Sequence, residues 1–241
     1  MPAREKLPGA ATAETRLTSE SLSRIAVFGV LALVFLIRLA HLSSAMVSPL
    51  TYQPGPDEDY YRRFGLAVAL GQGQDSPEFT FMDPAYGYIL GAIFRVLGPN
   101  LFVVYLLQVV LDTATAYGIL RIGRLLGRPR AGLVGALLYG LTAIAVMFCT
   151  TLLKEVWVTA FLTWWVVGAL ALLRSRRPWT WLLFGLYCGL GVGLRSTLLL
   201  LGVAALFLPL WSDAQSMARE VGNGMRHWAA LAALLDRKSV V

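Results

Sequence analysis

At 241 residues, with 57% hydrophobic and only 15% charged side chains, the chain is too apolar for a soluble domain, in which about 25% of residues carry charge. A mean hydropathy of +0.64 points instead to an integral membrane protein. The net charge of +7 arises from arginines lying between apolar runs, as cytoplasmic loops do, so no nucleic-acid partner is expected.

Residues 1–23 are polar and rich in Ala, Ser, Thr and Glu. They are too long and too mixed for the charged start of a signal peptide and read as a disordered cytoplasmic tail. Residues 25–45 form an apolar run long enough to cross a hydrocarbon layer of about 30 Å, the first transmembrane helix. Arg38 lies near its far end, where it can snorkel to the headgroups or enter a polar cavity; snorkelling is the simpler reading.

Residues 46–99 form a proline-broken loop with two helical pieces. The first, 57–70, starts with Asp57, Glu58 and Asp59, where the helix dipole favours acids. The second, 84–96, is shorter than a span and amphipathic enough to lie in the interface. Tyr86 and Tyr88 read as part of an interfacial aromatic belt. A second span follows over 101–123, with Gln108 and Asp112 one turn apart at mid-depth, facing protein or water; Asp112 reads as a hydrogen-bonded packing residue. Arginines at 121, 124, 128 and 130 mark a cytoplasmic loop before a third span over 131–149. After a polar knot ending in Lys154 and Glu155, a fourth span runs over 156–173 and closes on Arg174, Arg176 and Arg177. A glycine-rich fifth span, 179–194, ends at Arg195, and a short sixth covers 196–211. Cys149 and Cys188 both fall inside apolar stretches, so neither a disulfide framework nor a zinc site is indicated.

The expected fold class is therefore all-α: a polytopic transmembrane protein of about six spans plus a partial seventh, with two interfacial helices in the first extracytoplasmic loop. Domain boundaries follow as tail 1–23, transmembrane domain 24–211 and cytoplasmic segment 212–235 beginning another helix. The last six residues, 236–241, match a translated sequencing-library adapter and read as non-native, with the reading frame truncated near Leu235. The positive-inside rule puts the N-terminus in the cytoplasm and brings Asp57, Lys154, Glu155 and Arg195 to one outer face. Carboxylates there can act as general bases or cation ligands, while Lys and Arg can hold a phosphate. A substrate with a lipid tail and a charged head would fit such a surface.

The order Pro56-Asp57-Glu58-x-x-Tyr61, then Asp83-Pro84-Ala85-Tyr86, then a helix closed by Gly98, resembles the first extracytoplasmic loop of GT-C glycosyltransferases. The similar subgroup is family 39, which holds protein-mannosyltransferase and aminoarabinose-transferase-like enzymes; Asp83 stands where its Pro-Pro-x-Tyr pattern has the first proline. The resemblance implies a polyprenyl-phosphate-linked sugar donor, a lipid, glycan or protein acceptor on the extracytoplasmic face, and inversion at the anomeric carbon. The expected location is a bacterial inner (plasma) membrane, with membrane lipids as further partners. By the same resemblance Asp57 is the catalytic carboxylate and Glu58 orients it or binds the sugar. Tyr61 packs the loop helix, Lys154 and Glu155 line the donor-head pocket, and Arg195 pairs with the lipid phosphate. A divalent cation is an open question, since some GT-C members use one and others do not. Readings from other classes are a secondary transporter or flippase, which would want an internal repeat and charges inside broken helices, and a non-catalytic membrane scaffold.

Overall fold

A computed structural model describes residues 8–80, 82–173 and 177–207 of the chain. The described residues form helices and connecting turns, with no strand among them. α1 (Pro8–Met46) leads through a 3₁₀ turn (Pro49–Tyr52) to α2 (Pro56–Ala69), and a second 3₁₀ turn (Pro77–Thr80) precedes α3 (Ala85–Leu97). Then come α4 (Leu101–Leu125), α5 (Pro129–Leu141), α6 (Ala143–Phe148), α7 (Glu155–Leu172), α8 (Pro178–Leu194), a 3₁₀ turn (Ser196–Leu198) and α9 (Leu199–Leu206). Among the described residues, three stretches are long and apolar enough to cross a membrane: Arg24–Met46, Leu101–Leu125 and Glu155–Leu172. α8, at 17 residues, sits at the lower limit for a span. The segments 208–241, and within them the expected end of the sixth span, the truncated helix and the non-native tail, lie outside the described residues, as do 174–176.

Element ends follow local chemistry. Pro56, Pro129 and Pro178 open α2, α5 and α8, where a missing N–H costs nothing. Asn100 accepts the Phe102 N–H at 2.9 Å and caps α4. Gly98, at φ 78°, ends α3 in a conformation that side chains with a Cβ rarely adopt.

Four expectations change. α1 begins at Pro8, so residues 8–23 are helical rather than a tail of low order; residues 10–28 contain no proline or glycine and mix Ala, Glu, Leu and Arg, which favour helix, with Ser and Thr. The third span is broken at Thr142, whose backbone is extended at φ −70° and ψ 111°. The break frees carbonyls at the end of α5, and Arg38 fills them. Its Nη1 donates to the Gly140 carbonyl at 2.8 Å, and its Nε donates to the Asp112 carboxylate of α4. Arg38 is fully buried, so it braces three helices and does not snorkel. Asp112 also accepts from the Tyr139 hydroxyl, which agrees with its reading as a packing residue. Tyr86 is fully buried too, donating to Gln108 Oε1 at 3.0 Å, and so leaves the aromatic belt; Gln108 passes the connection on to the carbonyls of Cys149 and Thr151. Tyr88 remains partly exposed and packs edge-on against Phe64, ring centroids 5.5 Å apart.

The loop helices α2 and α3 pack on each other as a hairpin whose contact surface is made by small residues. A Cβ on Gly91 would stand 2.3 Å from Val68 Cγ1 and 3.1 Å from the Gly65 carbonyl oxygen, so only glycine permits this approach. On the same hairpin Tyr60, Tyr61, Tyr86 and Leu90 join Val104, Tyr105 and Val109 of α4, and Leu152 and Val156 beside α7, in one core. That core seats the N-terminus of α2 against the N-terminus of α7.

Candidate functional site

The acidic triplet opens α2, and successive residues on a helix point about 100° apart. Its three carboxylates accordingly go to three places. Asp59 turns along the surface to Arg62 and Arg63, at 3.2 and 3.5 Å. Glu58 turns inward: one oxygen accepts the Gly55 N–H at 2.9 Å and the other the Leu152 N–H at 3.1 Å, clasping the start of α2 to the segment before α7. Asp57 alone of the three faces a cleft, and its carboxylate has no hydrogen-bond partner among the described residues.

The cleft holds about 620 Å³. Asp57 and Tyr61, one turn apart on α2, form one wall; Asp83 and Pro84 lead into α3 on another. Lys154 and Glu155, at the N-terminus of α7, and Arg195, where α8 ends, complete it. Of the site residues expected from sequence, the structure thus brings together Asp57, Tyr61, Lys154, Glu155 and Arg195. Glu58 stands apart, because its carboxylate is committed to two backbone amides on the far side of the helix start.

Tyr61 is almost wholly buried between Tyr60 and Tyr86, with ring centroids 5.2 and 5.0 Å away, yet its hydroxyl has no partner among the described residues. Burial, and then the charges of Asp83, Glu155 and Asp57, push its phenol far above the ordinary value, so it stays a protonated donor. Glu155 Oε2 is likewise buried without a partner among the described residues. Unpaired buried polar atoms are uncommon in native interiors, and here two of them border the same cleft. Asp83 is the residue that reading the sequence missed as part of the site. Its Oδ2 pairs with Lys154 Nζ at 2.6 Å and its Oδ1 accepts the Ser196 N–H at 3.1 Å. Burial alone would raise the Asp83 carboxyl, but the hydrogen bond and charge of Lys154 outweigh it and hold the carboxyl below the usual range. The available signal was the carboxylate itself, standing where the resembling pattern has proline. Among the described residues no three His, Cys, Asp or Glu side chains converge on a metal-sized position; the cleft carboxylates able to contribute to one are Asp57 and Glu155.

Chemically, the arrangement offers a free carboxylate (Asp57), a buried phenol donor (Tyr61), a buried acceptor (Glu155) and a guanidinium (Arg195) that makes no ion pair among the described residues. They are gathered where the loop helix α2 meets the ends of the apolar helices α7 and α8. Such a set can take a proton from a hydroxyl or amine, hydrogen-bond a polar head and neutralise an anion.

The model of a family described as dolichyl-phosphate-mannose-protein mannosyltransferase matches residues 75–235. That match includes Asp83, Lys154, Glu155 and Arg195 and begins after Asp57. Among curated proteins, the undecaprenyl phosphate-alpha-4-amino-4-deoxy-L-arabinose arabinosyl transferase of Pseudomonas aeruginosa (strain UCBPP-PA14) is 35% identical over 196 residues, covering 75% of this chain and 34% of that protein. The chain therefore spans about a third of the length of this curated relative. No solved structure matches it.

Proposed function

Because this chain belongs to the dolichyl-phosphate-mannose-protein mannosyltransferase family, we propose that its cleft is the site of a membrane glycosyltransferase that takes a sugar from a polyprenyl-phosphate-linked donor. The observation that carries this reading is the convergence of Asp57, Tyr61, Lys154, Glu155 and Arg195, from three separate segments, on one cleft beside membrane-spanning helices. A lipid-linked donor keeps its tail in the bilayer while its head reaches that cleft. The relative named for an undecaprenyl-phosphate-linked sugar supports this donor class.

In this mechanism Asp57 accepts the proton of the acceptor hydroxyl or amine as that atom attacks the anomeric carbon. The bond to the phosphate oxygen breaks on the opposite side, which inverts the anomeric centre. The departing polyprenyl phosphate is held by Arg195. Tyr61 donates to, and Glu155 accepts from, the sugar head, which satisfies both unpaired atoms. Glu58 keeps Asp57 in place by tying the start of α2 to Leu152. The positive-inside distribution of arginines supports a cleft on the extracytoplasmic face with the α1 N-terminus in the cytoplasm, and the bacterial relative supports an inner-membrane location.

Substituting Asp57→Asn removes the base and keeps the side chain's shape. Sugar transfer from a polyprenyl-phosphate donor is expected to fall about 10²–10⁴-fold, with membrane insertion intact. Transfer at the original rate would take Asp57 out of the mechanism.

A further inference from the structure

The two cations of the cleft differ in their engagement. Lys154 Nζ lies 2.6 Å from Asp83 Oδ2, with both side chains largely shielded, 15% and 21% exposed. Arg195 lines the same cleft, is exposed, and forms no ion pair among the described residues. Asp83 uses both of its oxygens: while one holds Lys154, the other receives the Ser196 N–H at 3.1 Å. Ser196 follows Arg195, the residue at which α8 gives way to an extended backbone at φ −156° and ψ 119°. One carboxylate therefore ties the entry to α3, the start of α7 and the turn that carries Arg195.

We propose that Asp83 is a positioning residue that withholds Lys154 from the donor phosphate and presents Arg195 as its principal anchor. This rests on the reading of the cleft as a site for a polyprenyl phosphate. Charge supplies the reason. A phosphate entering the cleft meets Arg195 free, but can reach Lys154 only by displacing a carboxylate already bonded at short range. Interactions with charged groups are strong enough for this competition to show in affinity. The arrangement has a use in turnover. A polyprenyl phosphate is left behind after transfer, and two cations clamped on it would bind donor and by-product alike without lowering the barrier between them. Holding one cation back favours release.

The structure also states what each change should do. In Asp83→Asn the amide oxygen still accepts the Ser196 N–H, so the turn keeps its tie, while Lys154 loses its counter-charge and is released to the cleft. The probe is farnesyl phosphate, with inorganic phosphate as the headgroup control, titrated against the full chain in lipid nanodiscs. Asp83→Asn is expected to tighten farnesyl phosphate binding about tenfold, equivalent to about 1.4 kcal/mol. Lys154→Met should change the dissociation constant less than about twofold in the native background but about tenfold in the Asp83→Asn background. Arg195→Gln should weaken binding about tenfold or more in both.

Equal effects of Lys154→Met in the two backgrounds, or no tightening in Asp83→Asn, would overturn the role of Asp83 while leaving the phosphate site standing, provided Arg195→Gln still weakens binding. Should Asp83→Asn fail to fold, a tenfold loss from Lys154→Met in the native background overturns the proposal by itself. If the native chain binds farnesyl phosphate no better than inorganic phosphate, the donor reading of the cleft fails, and the role of Asp83 with it.

Discussion

Two ion pairs divide this protein's charge between support and chemistry. Arg38 and Asp112 sit with side chains 0% and 2% exposed inside the helix bundle, and neighbouring polar groups join the pair: the Gly140 carbonyl accepts from Arg38, the Tyr139 hydroxyl donates to Asp112, and the guanidinium lies over the Tyr139 ring. Asp83 and Lys154 sit at the edge of an open cleft, with water at hand and with two further carboxylates and a free guanidinium as neighbours. The first pair has nowhere else to go, because an unpaired charge at that depth is costly. The second can exchange partners. Burial is what separates a brace from a hold that one substitution can release.

The comparison breaks most severely at Asp112. Asp112→Ala leaves Arg38 charged, buried and without its counter-ion, and is expected to destabilise the bundle by about 3–5 kcal/mol, read from unfolding in mixed micelles. Adding Arg38→Met should recover only part of that loss, since the Gly140 carbonyl at the helix break still lacks its donor. Full recovery would show that Arg38 does not serve the break. Next comes Glu58, a carboxylate with a bracing role at the cleft wall. Glu58→Ala removes two hydrogen bonds accepted by a half-buried carboxylate and is expected to cost about 1–3 kcal/mol in all. Its signature is faster hydrogen exchange at the Leu152 amide, with α4 and α5 unaffected; an unchanged Leu152 rate would refute the clasp.

The smallest effect is expected at Asp83. As a partly exposed pair, its loss in Asp83→Asn should cost about 1 kcal/mol or less of stability. The pH dependence has a definite sign. The folded-state carboxyl titrates below its ordinary value, so the pair's stability is complete above about pH 4 and disappears as pH falls through the lowered value. The melting difference between native and Asp83→Asn proteins should hold from pH 8 to pH 5 and vanish in stronger acid. A difference that fades already near pH 6 would show that another group controls it.

Much of the architecture was legible because it depends on local pattern. Apolar runs between arginines marked the helices, and proline and glycine marked their ends, so α2, α3, α4, α7 and α8 begin and end within a residue or two of expectation. Asp57 was legible for the same reason: an acid just after a proline, at a helix start in a loop between spans. The misreadings share a different cause. Arg38 offered two fates, and the deciding partner, Asp112, is 74 residues away. Tyr86 looked interfacial until Gln108, 22 residues on, was seen to accept its hydroxyl. The break at Thr142 gave no warning in a run of apolar residues, since it is sustained by a guanidinium from another helix.

Sequence by itself determined that this is a helical membrane protein with its acids concentrated in one loop, because length, composition and helical periodicity are properties of neighbouring residues. Only the tertiary structure decided what each charge does. Among Asp57, Glu58 and Asp59 the choice between cleft, clasp and surface came from the rotation of α2 against α7. Between Lys154 and Arg195 the choice of which cation stays free came from Asp83, a carboxylate brought to Lys154 across 71 residues of chain by the packing of α3 beside α7 and α8.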